Sequence, residues 1–164
     1  MMKTVRIGIL LIVMSLLIPA IVIAEEAKTC LVILDGDSDC ILILIPLEAD
    51  VPFHFDFINS IYLAPVRETF KYTETEGIVL VKVESASAGV FEYYGLPTDG
   101  TNAASLNRVI GDIRLRSFNY ENHRLTAGGE SVRFRDFASD GHPLIIMVRH
   151  GNGCKPGGAG GGLP

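Results

Sequence analysis

The chain has 164 residues, of which 48% are hydrophobic, and its 14 basic and 19 acidic residues give a formal net charge of −5. This length favours a single domain with a core of its own. The acidic balance argues against a nucleic-acid partner, because nucleic-acid binding needs a basic face that contacts phosphates.

The first 24 residues have the layout of a secretory signal peptide. Lys3 and Arg6 precede an uncharged apolar run of 17 residues from 7 to 23, and Val22 and Ala24 occupy the −3 and −1 positions of a cleavage site. The alternative is an uncleaved membrane anchor at residues 7–23, although a typical span has about 20 residues. Both interpretations predict an extracytoplasmic protein, periplasmic or secreted, that contacts a membrane only through this segment.

A β-hairpin is predicted at the start of the domain, which we place at residues 25–150. Two apolar runs, 30–34 and 40–47, flank the turn-forming cluster at 35–39. The alternate carboxylates of this cluster also suggest a calcium loop, but Cys40 stands where such a loop has glycine. A turn is therefore the main prediction, and no cofactor is expected.

The chain has three cysteines, and an oxidising compartment favours a disulfide. Cys30 and Cys40 flank the predicted turn, so they are the predicted pair if the strand register brings them together. Cys154 is then the odd thiol, in a glycine- and proline-rich tail predicted to be disordered over residues 151–164.

The clearest pattern predicts a three-stranded meander at residues 53–84. Alternation with period two in aromatic and β-branched residues is typical of half-buried strands. The side chains predicted to share an inward face in each strand are Phe53, Phe55 and Phe57; Val66, Glu68, Phe70 and Tyr72; and Val79, Val81 and Val83.

Glu68 is the one acidic residue in this inward set, and a carboxylate that faces a core needs a partner. The nearest predicted donors are the amide of Asn59 and the hydroxyl of Ser60, at the other end of the connecting loop. The favoured interpretation is a structural clasp, because buried polar groups are usually satisfied. The alternative is a binding or catalytic carboxylate.

An aromatic segment follows at residues 85–100, where a short helix or an extended lip is expected. Phe91, Tyr93 and Tyr94 are candidate binding residues, because aromatic side chains combine large contact area with polar tips. The favoured alternative is packing that closes one end of the sheet.

The last third of the chain predicts further strands and short turns. Residues 101–110 suggest one or two helical turns, and strands are expected at 112–118, in a hairpin over 123–137, and in the middle of a sheet at 143–150. Alternate arginines suggest either an anion-binding face or, preferably, a solvated strand face. These arginines are Arg114, Arg116, Arg133 and Arg135.

Short strands and frequent turns predict an all-β domain, an antiparallel sandwich or small barrel of about eight to ten strands. The domain is preceded by the signal or anchor at 1–24 and followed by the tail at 151–164.

One stretch of this domain resembles a known family. Its pattern, F-x-F-x-N-S-I-x-x-x-P-V-x-E-x-F, is similar to a domain of unknown function often encoded beside TAXI-type TRAP transporters. The resemblance implies an extracytoplasmic compartment and, as partner, a TRAP transporter component or a small-molecule solute. It implies no known activity, and Asn59 stands where many members have His. The residues that carry it are Phe55, Phe57, Asn59, Ser60, Ile61, Pro65, Val66, Glu68 and Phe70.

Three functions are compatible with these observations. The first is a non-enzymatic extracytoplasmic accessory or binding protein, linked by resemblance to solute transport. The second is a secreted enzyme that uses Glu68 with Ser60, which requires the two residues to meet at an open pocket. The third is an interaction module whose edge strands pair with another protein.

The signal-peptide prediction is tested by Ala24→Arg. A large charged residue at the −1 position blocks processing, so the variant is expected to accumulate as a larger, membrane-bound species. Intact mass and membrane fractionation measure this outcome. An unchanged mass and location would contradict it.

Overall fold

Ten β-strands and one short α-helix make up the part of the chain that the computed structural model describes, residues 29–97 and 100–154. The predicted signal or anchor therefore lies outside the described residues. Among the described residues, no helix is long and apolar enough to span a membrane. The elements are β1 (Thr29–Asp35), β2 (Ile41–Pro46), β3 (Phe53–Asn59), β4 (Ala64–Thr73), β5 (Gly77–Ser85), α1 (Ala88–Tyr94), β6 (Ala103–Val109), β7 (Ile113–Arg116), β8 (Arg124–Ala127), β9 (Glu130–Arg133) and β10 (Pro143–His150).

The strands form two antiparallel sheets. The four-stranded sheet has the order β2-β1-β10-β7, and the six-stranded sheet has the order β6-β5-β4-β3-β8-β9. The predicted all-β sandwich is confirmed, as is the place of β10 in the middle of a sheet. The described strands do not close into a barrel, so that alternative is wrong.

The main core lies between the two sheets. Leu31 and Ile33 enter it from β1, and Phe53 and Phe70 stack across β3 and β4 with ring centroids 5.3 Å apart. Each such side chain contributes about 1.5–3 kcal/mol when it is fully buried. The predicted meander therefore supplies one wall of the core, and the first and last strands supply the other.

A β-bulge changes the predicted inward face of β5. Val81 is the extra residue, because Thr69 pairs with Lys82 while the next residue of β4 pairs with Leu80. The residues of β5 in the main core are Ile78, Leu80 and Val83, so a shared inward face for Val79, Val81 and Val83 is wrong. A bulge inserts one residue and shifts the phase of the alternation.

The helical turns predicted at 101–110 are also wrong. Residues Ala103–Val109 form β6, which pairs with β5 through Ala104 opposite Val83 and Ser105 opposite Lys82. Strand formation here depends on a neighbouring strand edge rather than on intrinsic preference, and β5 provides that edge.

The predicted disulfide between Cys30 and Cys40 is wrong, because Cys30 is bonded to Cys154 with Cα atoms 5.6 Å apart. Cys30 lies opposite Pro46, whereas Cys40 precedes the other end of β2 and is a free, exposed thiol. The two ends of this strand are separated by about 16 Å, well beyond disulfide distance. The bridge also corrects the predicted tail, because Gly151–Cys154 forms a short 3₁₀ helix. Residues 155–164 lie outside the described residues.

The disulfide gives a labelling prediction. In folded, unreduced protein, iodoacetamide is expected to modify Cys40 and to leave Cys30 and Cys154 unmodified, as peptide mass spectrometry will show. Cys154→Ser is expected to lower the free energy of unfolding by about 2–5 kcal/mol, because the bridge closes a long loop. Cys40→Ser is the matched control and should change stability little. Labelling of Cys30 before reduction would contradict the pairing.

Candidate functional site

Glu68 is held by the helix and not by the β3–β4 loop. Its Oε1 accepts a hydrogen bond from the hydroxyl of Tyr94 at 2.5 Å. Burial raises the pKa of the Glu68 carboxyl above its ordinary value, and the bond from Tyr94 partly opposes that rise. Burial and the Glu68 carboxylate raise the pKa of Tyr94, which therefore stays a donor. The predicted clasp between Glu68 and the β3–β4 loop is therefore wrong, and the partner of the carboxyl is Tyr94 of α1.

The strand register explains why the predicted partners are wrong. Glu68 lies opposite Phe55, whereas Asn59 lies opposite Ala64. Asn59 therefore lies four positions along β3 from the residue opposite Glu68, a distance of about 13 Å.

Asn59 instead fixes the loop that it begins. Its Oδ1 accepts hydrogen bonds from the backbone N–H groups of Ile61 at 3.0 Å and Tyr62 at 3.1 Å. This is an Asx-type turn, in which the side chain takes the place of a backbone acceptor. Ser60 is exposed beside it. The structure thus separates Ser60 from Glu68, as it separates Asn59.

The three candidate aromatic residues have different positions on α1. Phe91 is buried in the main core, Tyr94 holds Glu68, and Tyr93 is 62% exposed. The helix ends at Gly95, whose φ of 68° gives the left-handed C-cap that favours glycine. The short helix is therefore confirmed as the form of this segment. Phe91 and Tyr94 attach it to the sheet, and Tyr93 faces outward.

The attached helix supports an exposed apolar loop, which we call the apolar tip and define as Ile61, Tyr62 and Leu63. A Cβ at Gly89 of α1 would meet the ring of Tyr62, so only glycine admits this close contact. Ile61 is 65% exposed and Leu63 is 78% exposed. The contact of Tyr62 with Gly89 therefore holds the apolar tip against α1, while Ile61 and Leu63 face solvent.

Leu63 has a backbone conformation that leucine seldom adopts, with a φ of 49°. Such a left-handed residue costs about 1–3 kcal/mol and is retained where the surroundings over-determine it. Here the Asn59 hydrogen bonds and the contact of Tyr62 with Gly89 fix the loop. Strain of this kind clusters at functional positions, and large exposed apolar side chains at one place indicate a contact surface.

The four arginines do not form one row across neighbouring strands. Arg114 and Arg116 lie on β7 in the four-stranded sheet, whereas Arg133 lies on β9 in the six-stranded sheet. Arg133 and Arg135 both form ion pairs with Glu121. The alternative of a common anion-binding face is therefore wrong. Two of the arginines lie in one sheet and one in the other, and Arg135 lies in the 3₁₀ helix Phe134–Asp136.

The acidic cluster at 35–39 is a turn, as predicted. Oδ1 of Asp35 accepts the backbone N–H groups of Asp37 and Ser38, both at 2.9 Å, and Oδ2 lies 2.8 Å from Nε2 of His142. These bonds lower the pKa of Asp35 to about 2. Asp35, Asp37 and His142 bring possible ligand atoms within 4.8 Å of one another, but Asp35 already uses both oxygens to join this turn to the residue before β10.

Comparison of the chain with protein-family models, with curated proteins and with solved structures gives no match. The resemblance to the TRAP-associated family thus stays a prediction.

The apolar tip was not among the residues predicted from the sequence to form a site. The loop between β3 and β4 contains Ile61, Tyr62 and Leu63, and residues 59–65 include no charged residue. Most loops of this length are rich in polar residues and glycine, so an uncharged apolar loop was the available signal.

The Glu68–Tyr94 bond is tested by a mutant cycle. Tyr94→Phe is expected to lower the free energy of unfolding by about 1–3 kcal/mol at neutral pH, because a largely buried carboxylate loses its donor. In a Glu68→Gln background the same change should cost less, since contacting groups are not additive. Ser60→Ala is the control and should have little effect. Urea unfolding measures all four, and additive effects would refute the contact.

The same carboxyl predicts a pH dependence. Folding raises the pKa of Glu68 above its ordinary 4.5, so its contribution to stability is fully present below the unfolded value. That contribution is lost as the pH rises through the folded pKa. Wild type should therefore lose stability relative to Glu68→Gln between acidic and neutral pH. A difference that does not change with pH would contradict this prediction.

Proposed function

We propose that this protein is a non-enzymatic, extracytoplasmic accessory protein that binds another protein through the apolar tip. The single observation that carries the proposal is the exposure of Ile61 and Leu63 on a loop that is fixed from both sides. An apolar side chain in water gains free energy when a partner covers it, at about 25 cal/mol per Å² of apolar surface.

The supports of the tip favour binding because they reduce its entropic cost. Asn59 fixes the loop backbone, and Tyr62 packs on α1, which Tyr94 attaches to Glu68. A loop that is already held in one conformation loses less freedom when it binds. The candidate residues predicted from the sequence thus act mainly as supports, and the adjacent tip makes the contact.

Tyr93 extends the surface beside the tip. It lies four residues after Gly89 on α1, so both residues share one face of the helix, and Gly89 is where Tyr62 packs. Tyrosine is enriched in protein interfaces because it combines apolar area with a polar hydroxyl. The chemistry favours a protein partner with an apolar pocket and a polar margin.

The enzyme alternative has less support. It required Glu68 and Ser60 to meet at an open pocket, whereas Glu68 bonds Tyr94 and Ser60 lies in the exposed loop. The edge-strand alternative is favoured by one observation. Within the described residues, β2 has β1 as its one hydrogen-bonded neighbour, and five of its six residues are isoleucine or leucine. It remains the second candidate interaction surface.

The partner to test first comes from the predicted resemblance, which implies a component of a TRAP-type solute transporter. Such a partner belongs to the extracytoplasmic compartment that the predicted signal or anchor implies.

The proposal is tested by photo-crosslinking in cells that export the protein. A photoreactive amino acid in place of Leu63 is expected to give a discrete protein adduct, which mass spectrometry identifies. The matched control is the same substitution at Val109, an exposed apolar residue at the end of β6 that is 55% exposed. In addition, Ile61→Ser with Leu63→Ser should abolish co-purification of the captured protein without lowering the melting temperature.

Equal adducts at positions 63 and 109, or adducts with lipid alone, would contradict the proposal. A protein adduct that is not a transporter component would retain the binding role and remove the link to TRAP transport.

A further inference from the structure

The outer face of the six-stranded sheet carries a shallow cavity at the end of β4 that begins beside the apolar tip. Its volume of about 430 Å³ lies within the range of about 300–1,000 Å³ that is typical of ligand pockets. It crosses the neighbouring strands β5, β4, β3 and β8, and the loops before β6 and β8 contribute to its rim. We call it the arginine cavity and define it by its charged and amide side chains, Asp56, Arg67, Glu84, Arg124, Asn102 and Asn122.

The strand register places the charged groups of the cavity side by side. Asp56 of β3 lies opposite both Arg67 of β4 and Arg124 of β8, and Arg67 lies opposite Glu84 of β5. The residue next to each of them along its strand enters the main core, so alternation directs all four outward.

Asp56 holds both guanidinium groups of the cavity in place. Nε of Arg67 donates to its Oδ1 at 2.7 Å and Nη2 donates to its Oδ2 at 3.1 Å, while Nε of Arg124 lies 3.5 Å from Oδ2. A guanidinium has more N–H donors than these contacts use, so each arginine keeps donors for a ligand. The side chains of Arg67 and Arg124 are 50% and 44% exposed, so a ligand can reach those donors.

The charges of the cavity favour a carboxylate. Arg67 and Arg124 share the single carboxylate of Asp56, and Glu84 has its own cation, because Nζ of Lys82 lies 2.9 Å from its Oε1. One positive charge among these five groups is therefore unbalanced. Arginine N–H groups in a planar fork match the two oxygens of a carboxylate.

The arginine cavity and the apolar tip adjoin along the chain. Pro65 lines the cavity, and Leu63 of the tip immediately precedes β4, so the Cα atoms of these two residues are at most about 7 Å apart. On the neighbouring strand, Ala86 lines the cavity just before α1, whose Gly89 contacts Tyr62. A protein that covers the tip therefore reaches the cavity as well.

We propose that the protein partner of the apolar tip carries an acidic side chain that binds in the arginine cavity, between Arg67 and Arg124. This inference rests on the proposed function and names the polar margin of that interface. The two guanidinium groups donate to the carboxylate, and the amides of Asn102 and Asn122 are available to the partner's adjacent backbone. An acidic side chain is favoured over a free organic anion, because a small anion leaves the adjacent tip in water.

The role of this charge pair is to orient the partner, since electrostatic complementarity contributes specificity more than affinity. The tip offers apolar side chains without a direction of their own. A carboxylate held between two guanidinium groups fixes the position of the partner relative to the tip.

The inference is tested by substitutions that each remove one charge. Arg124→Gln removes one guanidinium and leaves the bonds of Arg67 to Asp56, whereas Lys71→Gln removes a charge from β4 outside the cavity. With the photoreactive amino acid at position 63, Arg124→Gln is expected to lower the yield of the protein adduct about tenfold. Lys71→Gln should leave the yield unchanged. Arg124→Lys keeps the charge and should restore most of the yield, which separates loss of charge from loss of folding.

A photoreactive amino acid in place of Asn122 identifies the occupant of the cavity. The expected adduct is the protein that is captured at position 63, and peptide mass spectrometry should place the attachment beside an aspartate or a glutamate. Changing that acidic residue to its amide should have little further effect in the presence of Arg124→Gln, because groups in contact are not additive.

The outcomes separate this inference from the proposed function. An adduct at position 63 whose yield Arg124→Gln does not lower would overturn the inference and retain the binding role of the tip. Additive effects of the two charge removals would do the same, as would an adduct at position 122 with a second copy of this chain. The absence of any protein adduct at position 63 would overturn both.

Discussion

The register of β3 against β4 is the constraint on which the rest of the site depends. Phe55 opposite Glu68 puts the carboxylate on the inward face, and Asn59 opposite Ala64 puts the loop at the far end of the same hairpin. A shift of one residue would turn Glu68 outward and Arg67 inward. The register is strongly specified because Phe53 and Phe70 must stack inside the core.

The hydrogen bond from Tyr94 to Glu68 then connects the β3–β4 hairpin to the surface through α1. Glu68 cannot remain unpaired in its largely buried position, and Tyr94 supplies the donor from α1. The same helix buries Phe91 and offers Gly89 to the ring of Tyr62. The hydrogen bond between Glu68 and Tyr94 therefore positions α1, and α1 positions the exposed apolar tip. This explains how Leu63 can keep a strained conformation without core contacts of its own.

The two sheets divide the surface of the protein by chemistry. On the outer face of the six-stranded sheet, Arg67 of β4 binds both carboxylate oxygens of Asp56 on the neighbouring β3. The four-stranded sheet has an apolar outer face instead, and a disulfide joins its centre to the end of the described chain at Cys154. The charged outer face and the apolar outer face thus belong to different sheets.

Strong local patterns predicted much of the fold. Alternation predicted the meander and the strands of the sandwich, since period-two burial is a local property. Local preference was insufficient for the edge strand β6, which forms by pairing with β5, and at Val81, where one extra residue shifts the phase of the alternation. The inward direction of Glu68 followed from the sequence, but its partner did not.

The sequence by itself determined the all-β class, the hairpins and the need for a partner at Glu68, because each follows from neighbours within a few residues. Tertiary structure alone decided that Tyr94 is that partner and that Cys154 bonds Cys30, a residue 124 positions away. These contacts depend on how the two sheets and α1 are stacked. Residues far apart in the sequence form no local pattern that predicts their contact, and only the folded chain brings such groups together.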